Sequence, residues 1–346
     1  MENLRKESSV SQRKQKQPGI YAELKEIPVA ATVISHEIVS LVPKNMLWMI
    51  TLNAFLLPKW VNPFRHIGIS PRIEALFNEQ LFSLADVVCL QETFSRVEEI
   101  KEYASRRGFK QAVFARSPGP CRRMSMRLLG SGLAILSRHD IIESSERELQ
   151  AGVWTDYFAT KSVMHARIST DMGELHVFNT HTQSQINQRH PDRSTEVRLA
   201  QLAEVSKFIS EMVSTHPRLP VVVCGDMNVD NINNPEEFSK LLQMVIDALP
   251  NHKVKEVLEG RGIPTWGGTK RLDYIFVAAR KDDAECDVIQ AQTEPFGNFS
   301  DHYGVSAAVK FSESEFGQEL CPVDNQNGVI TLSSSVDRPW DFLHKD

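Results

Sequence analysis

The sequence predicts an α/β protein with one large core. Short runs rich in β-branched and aromatic residues alternate with stretches whose apolar residues recur at helical spacing. Apolar residues make up 41% of the chain and charged residues 24%, which are the proportions of an ordinary globular protein. We therefore expect layers of strands and helices rather than a disordered or collagen-like chain.

The core is expected to span residues 45–311. The first nineteen residues are basic and polar and offer little to bury, so residues 1–44 are interpreted as an N-terminal extension that is partly disordered. After Phe311 the sequence turns polar. Residues 312–346 are therefore interpreted as a C-terminal extension with at most one extra strand, at residues 328–332.

Eight strands and two helices are predicted within this core. The strand candidates are residues 46–52, 86–90, 132–137, 161–168, 174–180, 220–225, 271–277 and 304–310. One helix is expected to follow Ser70, a candidate N-cap with Pro71 at the first helical position. The other is expected to begin just after Ser194 or Thr195, either of which can cap it.

Side chains that carry chemistry fall at the ends of strands whose interiors are apolar. Asn53 ends the run MLWMITLN, Glu92 ends DVVCLQE, and His181 ends VFNTH. Each of them alone is more often a turn residue or an ordinary surface group. Strand ends hold side chains rigidly at the rim of a sheet, where a carboxylate such as Glu92 can bind a hard cation through oxygen. Their recurrence predicts a polar site at one rim.

The segment PVVVCGDMN gives the strongest local signal. Four apolar residues predict a buried strand that leads to Gly225, whose missing side chain permits close backbone approach. Asp226 and Asn228 stand two residues apart and project in a similar direction if the extended conformation continues. Together they can position a water and a phosphate oxygen. The alternative is an Asp-x-Asn turn, to which we give less weight because the strand is so apolar.

Two further motifs belong with these. Asp273, in RLDYIFV, lies early in an apolar strand, where an unpaired carboxylate is costly to bury. The segment SDHYG precedes the last core strand and offers a partner, His302. Its imidazole can take a proton from water while Asp273 orients the other ring nitrogen. The alternative for the Ser-Asp-His tripeptide is a helix cap or a turn.

Seven motifs in order resemble those of a known superfamily. TLNAF, LQETF, GSGLAILSR, NTHTQ, GDMN, RLDYIF and SDH have the order and approximate spacing found in the endonuclease/exonuclease/phosphatase superfamily, over nearly all of residues 46–310. Each motif is short, but the series is specific. The resemblance implies a DNase I-like, four-layer α/β sandwich: two mixed β-sheets flanked by helices, with a metal site at one rim.

The resemblance also implies roles for the metal and the base. Glu92 and Asn53 are implied at the metal, and His302 is implied as the general base. Asp273 and Asp301 match supporting carboxylates that hold His302 or the water shell of the metal. The expected cofactor is Mg²⁺, with Mn²⁺ or Co²⁺ as alternatives, because a divalent cation neutralises charge on phosphate oxygens during diester hydrolysis.

The remaining motif residues are implied to act on the water and the substrate. Asp226 and Asn228 match the pair that orients the nucleophilic water and contacts the phosphate. His181 matches the imidazole that stabilises the charge of the developing phosphorane. Substrate binding is accordingly expected from Asn228, His181 and Lys161.

Within the superfamily the chain is most similar to the neutral sphingomyelinases, particularly the bacterial-type sphingomyelinase C enzymes. Asp156 and Lys161 fall where that branch carries an acidic residue and a lysine before a strand, although Ser162 replaces its usual glycine. The resemblance implies hydrolysis of sphingomyelin to ceramide and phosphocholine at a membrane surface. The segment from Phe55 to Phe64 is apolar enough to enter such an interface, and inward packing is an equally weighted alternative.

Two other functions stay open at this point. A nuclease or DNA-end phosphodiesterase on the same scaffold is disfavoured by the net charge of −5, because nucleic-acid binding usually requires a basic excess. A catalytically inactive binding module would require the loss of a motif residue, and all of them are present. We expect a monomer without a transmembrane segment, located in the cytoplasm or at a membrane periphery, with delivery as a secreted effector lacking a cleavable signal left open.

Overall fold

Two mixed β-sheets pack face to face in this protein. The computed structural model describes residues 46–58, 68–116, 129–152, 159–185, 191–282, 286–294, 299–311 and 328–332. The predicted N-terminal extension and Asp156 lie outside the described residues, as does the second half of the apolar segment that begins at Phe55. In the first half, Leu56 is buried, in agreement with inward packing there.

The first sheet holds the strands that carry Asn53 and Glu92 to the rim. Its strands are β1 (Leu47–Asn53), β2 (Val87–Gln91), β3 (Gln111–Phe114), β4 (Ala134–Ser137), β11 (Cys286–Glu294), β12 (Gly304–Phe311) and β13 (Val329–Thr331). Their order across the sheet is β11-β12-β1-β2-β4-β3-β13. β1 and β2 are parallel, and Asn53 lies opposite Gln91, so that Glu92 follows directly beside it.

The second sheet aligns three site residues in one row. Its strands are β5 (Asp140–Glu148), β6 (Ser162–Thr170), β7 (Gly173–His181), β8 (Val221–Asp226), β9 (His252–Glu256) and β10 (Asp273–Arg280), in the order β5-β6-β7-β8-β10-β9. β7 and β8 are parallel, with His181 opposite Asp226. β10 runs antiparallel to β8 and places Asp273 opposite Asp226 from the other side.

Helices cover the outer faces of both sheets. The helices α1 (Ile69–Asn78), α2 (Gln80–Leu84) and α3 (Val97–Arg106) bury apolar residues against the first sheet. The second sheet is covered by α4 (Pro191–Thr215) and α5 (Pro235–Ala248). A third apolar cluster fills the space between the sheets. The predicted four-layer sandwich is thus confirmed. None of the helices in the described ranges combines the length and apolar character that crossing a bilayer requires.

The eight predicted strands are all present, with ends within three residues of those expected, and the tentative strand near residue 330 is β13. β3, β5, β9, β11 and the helices α2, α3 and α5 were not predicted. The predicted helix caps are wrong. α1 begins at Ile69 after Gly68, and α4 begins at Pro191, so that Ser70 and Ser194 lie inside the first turns.

Gly225 allows β8 to reach the rim beside β7. Its φ is 137°, a conformation that residues with side chains rarely adopt. A Cβ atom at this position would lie 1.9 Å from the carbonyl oxygen of Thr180 on the neighbouring strand. The strand that delivers Asp226 to the site therefore requires glycine one residue earlier.

Gly225→Ala should strongly destabilise the protein. Because the new methyl group meets backbone and the φ angle becomes strained, we expect a loss of more than about 3 kcal/mol in the free energy of unfolding, measured by urea denaturation. Gly262→Ala is the matched control, since nothing lies within 4 Å of a Cβ at that position. Equal stability of the two variants would contradict the close approach described above.

Candidate active site

An open cleft of about 570 Å³ lies at the rim where the parallel strands β1, β2, β7 and β8 end. Eight of the nine predicted site residues line it: Asn53, Glu92, Lys161, His181, Asp226, Asn228, Asp301 and His302. The ninth, Asp273, is fully buried and contacts His302. Residues separated by up to 249 positions in the sequence are thus brought to one place.

Asn53 joins the two sheets at the floor of the cleft. Its amide nitrogen donates to Glu92 Oε1 at 3.1 Å and to Asp226 Oδ2 at 3.0 Å. Its amide oxygen accepts the backbone N–H of Phe55 at 3.1 Å. In this orientation Asn53 holds the two carboxylates in place. Its predicted role as a metal ligand stays a prediction, because that role requires the oxygen to face the cleft.

His302 is paired with a buried carboxylate. Its Nδ1 lies 2.8 Å from Asp273 Oδ2, so Nδ1 carries a proton and Nε2 faces Asp226 Oδ2 at 3.7 Å. Burial alone would lower the pKa of His302, but Asp273 and Asp226 outweigh it and raise the pKa to about 10. The imidazole is therefore positively charged at neutral pH, as long as no other cation neutralises these carboxylates. To act as a base it must first lose that proton.

His181 is held neutral on the other side of Asp226. Its Nε2 lies 3.5 Å from Asp226 Oδ2. Burial lowers the pKa of His181 well below its usual value, and the positive charges of Lys161 and His302 act in the same direction. A neutral imidazole can donate a hydrogen bond to a phosphate oxygen without carrying a formal charge into the cleft. The two histidines of the site thus differ in charge because only His302 has a carboxylate at hydrogen-bond distance.

The segment after Asp226 is a turn. β8 ends at Asp226, and Asn228 has a φ of 50°. Asp226 Oδ1 accepts the backbone N–H of Asn228 at 3.0 Å, while the Asn228 side chain donates to the Thr182 carbonyl at 3.2 Å. The expectation of a continuing extended strand is therefore wrong, and the turn given less weight is the one that forms. Both side chains still line the cleft.

Glu92 and Asp301 fit a divalent cation. Within the described residues, Glu92 Oε2 and Asp301 Oδ1 are buried and have no hydrogen-bond partner. Burial raises the pKa of Glu92 to about 7, and the negative charge of Asp301 contributes in the same direction. Carboxylate oxygens that lack donors and repel one another favour a hard cation between or beside them.

A second group of possible ligands lies deeper in the cleft. Asp226, Asp273 and His302 each place a ligand atom within 4.8 Å of the others. However, the His302 and Asp273 atoms already form a hydrogen bond, and Asp226 Oδ2 accepts from Asn53. Binding a cation through His302 Nδ1 or Asp273 Oδ2 would break the pair that orients the imidazole. We therefore consider Glu92 and Asp301 the better cation site.

Arg72 supports the site from behind and was not predicted. Its guanidinium donates from Nε to the Phe299 carbonyl at 2.8 Å and from Nη2 to the Ala54 carbonyl at 3.2 Å. It thereby joins the segment that follows Asn53 to the one that precedes His302. A signal was available in the sequence, because Arg72 interrupts the apolar face of α1 next to Ile73.

Sequence reasoning also missed the second half of the cleft. Its floor contains a buried ion pair in which Arg198 Nε donates to Glu237 Oε1 at 2.6 Å. Its wall contains Trp266 and Lys270, on the segment just before β10. The charged and aromatic character of PTWGGTKRLD was the only sequence signal for these residues, and nothing in it indicated where they would lie.

A family model and two relatives are similar to this chain. A model of the "Endonuclease/Exonuclease/phosphatase family" matches residues 50–302. A sphingomyelinase of Dictyostelium discoideum is 25% identical over 228 residues, which cover 57% of this chain and 49% of that protein. The match therefore spans about half the length of that relative. Sphingomyelinase C of Bacillus cereus is 25% identical over 312 residues, 77% of this chain and 89% of that protein.

Three solved structures share the fold. SmcL is 20% identical, with a TM-score of 0.60 over 77% of this chain and 99% of that one. A beta toxin from Staphylococcus aureus with bound magnesium ions is 20% identical, with a TM-score of 0.58 over 75% and 98%. D. rerio TDP2 complexed with a single-strand DNA product is 17% identical, with a TM-score of 0.55 over 77% and 99%. At these identities the likeness concerns the fold alone.

Cation binding at Glu92 should depend on pH. Folding raises the pKa of Glu92 from 4.5 to about 7, so the stabilisation from this group is present below 4.5 and is lost as the pH rises through 7. Millimolar Mg²⁺ should therefore raise the unfolding temperature little at about pH 5.5 and clearly at about pH 8, where Glu92 is ionised. Differential scanning fluorimetry with and without Mg²⁺ measures the unfolding temperature at both pH values.

Glu92→Gln should remove the pH-dependent stabilisation by Mg²⁺. Since the neutral amide has no charge to desolvate, we expect the variant to be more stable than the wild type at about pH 8 without Mg²⁺, and to respond little to Mg²⁺. The exposed Glu259 supplies the control, because Glu259→Gln removes a carboxylate away from the cleft. A wild-type Mg²⁺ response in the Glu92 variant would place the cation elsewhere.

Proposed function

The chain belongs to the endonuclease/exonuclease/phosphatase family, and from this premise we propose that it is a Mg²⁺-dependent phosphodiesterase that hydrolyses sphingomyelin to ceramide and phosphocholine. The observation that carries the catalytic part is the pairing of His302 with Asp273 beside Asp226, in the same cleft as the carboxylates of Glu92 and Asp301. A base, a water-orienting group and candidate cation ligands are what diester hydrolysis requires.

The negative charge of the substrate and of the transition state must be neutralised. Mg²⁺ held by Glu92, with Asp301 beside it, would neutralise charge on the phosphate oxygens when bound. The other groups are supplied by the chain. Asp226 has a pKa of about 6 and is therefore ionised at neutral pH. It accepts one O–H of the attacking water, so that the other O–H points toward His302. His302, once it is neutral, takes the proton of the water at Nε2, because Nδ1 is committed to Asp273.

The phosphate is bound by neutral and cationic donors. His181 stays uncharged and donates to an equatorial oxygen as charge develops there. Asn228 and Lys161 line the cleft close to it and complete the donor set. These roles are the ones that the resemblance of the sequence motifs to the superfamily implies.

The lipid substrate is supported by the named relatives. Both curated proteins described above are sphingomyelinases. The second candidate function is a nuclease or DNA-end phosphodiesterase, since a structure with the same fold contains a DNA product. The net charge of −5 argues against a polynucleotide backbone as the main substrate. A binding module without activity is disfavoured, because the nine predicted residues are retained and assembled.

His302→Ala should abolish hydrolysis while leaving the fold intact. We expect phosphocholine release from sphingomyelin vesicles to fall about a thousandfold, because the proposed base is lost. EDTA should abolish release by the wild-type protein, and Mg²⁺ should restore it. His216→Ala serves as the control, since His216 is a half-buried histidine that precedes β8 at the end away from the cleft.

A plasmid-nicking assay run in parallel separates the two substrates. Mg²⁺-dependent nicking that is lost in His302→Ala, together with no phosphocholine release by the wild-type protein, would reject the lipid substrate and keep the catalytic residues. Release that persists in His302→Ala would reject the proposed base.

A further inference from the structure

The segment Thr265–Lys270, called here the 265–270 hairpin, forms a tight reversal at the cleft wall. The Trp266 N–H donates to the Lys270 carbonyl at 2.9 Å, and the Lys270 N–H donates back at 3.1 Å. Gly267 and Gly268 have φ angles of 56° and 67°, which permit the chain to turn within two residues. The hairpin therefore holds the backbone of Trp266 in a fixed position.

The hairpin is attached to both members of the His302–Asp273 pair. Thr265 Oγ1 accepts the backbone N–H of Leu272 at 2.9 Å and that of Asp273 at 3.2 Å. On the other side, the Tyr303 N–H donates to the Thr265 carbonyl at 2.7 Å. Thr265 is fully buried. The position of Trp266 is consequently set by the same contacts that set the imidazole and its carboxylate partner.

The indole N–H of Trp266 forms a hydrogen bond to one carboxylate oxygen of Asp301. The Trp266 Nε1 donates to Asp301 Oδ2 at 3.1 Å. The other oxygen, Oδ1, is buried and has no hydrogen-bond partner in the described part of the chain. A carboxylate with one oxygen held by a donor cannot rotate freely, so the direction of its second oxygen is fixed as well. Lys270 Nζ lies over the indole ring, 5.2 Å from its centroid, in a cation–π contact.

We propose that Trp266 is a positioning residue, whose indole N–H orients Asp301 so that its free oxygen supports the cation bound by Glu92. This inference rests on the proposed metal-dependent phosphodiesterase and adds to it a residue outside the sequence motifs. Only the N–H is needed for this role. A phenyl ring at the same position keeps most of the packing but leaves Asp301 free to turn, so the affinity for the cation falls.

Trp266→Phe tests the proposal with Mg²⁺ as the probe. The Mg²⁺ concentration for half-maximal thermal stabilisation, and for half-maximal hydrolysis of bis(p-nitrophenyl) phosphate, should each rise about tenfold. Trp48→Phe is the matched control: the Trp48 indole nitrogen is buried without a hydrogen-bond partner among the described residues. This control should lose stability yet keep the wild-type Mg²⁺ requirement.

A double-mutant cycle separates positioning from packing. If Trp266 acts through Asp301, Trp266→Phe should change the Mg²⁺ requirement little further in an Asp301→Asn background. Should Trp266→Phe fail to fold, replacing Trp266 by the isosteric amino acid 3-benzothienylalanine removes the N–H and keeps the ring system. The same tenfold rise is expected there.

Several outcomes would overturn the proposal, and they differ from failure of the proposed function. A wild-type Mg²⁺ requirement in Trp266→Phe, or in the benzothienyl protein, would show that the N–H does not position Asp301. Additive effects of the two substitutions would show that Trp266 acts by another route. A wild-type protein that neither responds to Mg²⁺ nor hydrolyses the diester would instead reject the proposed function itself.

Discussion

The Asn53 amide is the contact on which the site depends. Glu92 follows a strand of the first sheet and Asp226 ends a strand of the second, and one NH₂ group donates to both. Burial raises the pKa of Glu92 to about 7 and that of Asp226 to about 6, which shows how costly their negative charges are at this depth. The two hydrogen bonds offset part of that cost. The carboxylates of the two sheets can therefore lie close together in one cleft.

A polar network below the rim fixes how the two sheets align. Gln91 Nε2 donates to Asn179 Oδ1 at 2.7 Å, and Asn179 Nδ2 donates to the carbonyl oxygens of Leu90 and Ala134, each at 2.9 Å. Asn179 belongs to the second sheet and its partners to the first. An apolar interface alone tolerates small sliding, whereas buried hydrogen bonds are satisfied in one alignment. The network thus lies directly below the rim and holds Glu92 and His181 in the same cleft.

The sequence predicted the parts of this structure that depend on local pattern. Strands with apolar interiors were found, and so were the polar residues at their ends. β5, with the sequence DIIESSERE, was missed because its residues are mostly half-exposed and its pattern is polar. The turn at Asn228 was misjudged because a hydrogen bond from its backbone to Asp226 outweighs the preference of the preceding strand. The contact between Trp266 and Asp301 joins residues 35 positions apart, and no local pattern encodes such a pairing.

The charges of the site link the proposed base to the proposed cation ligands. Three carboxylates, those of Asp226, Asp273 and Asp301, raise the pKa of His302 against the effect of its burial. The same imidazolium lowers the pKa of Asp226 and of Glu92 in return. The positive charge of His302 and the negative charges of the carboxylates thus stabilise one another. In the proposed mechanism, His302 can act as a base only when another positive charge offsets these carboxylates. In the proposed mechanism, cation binding at the neighbouring carboxylates would therefore favour loss of the His302 proton.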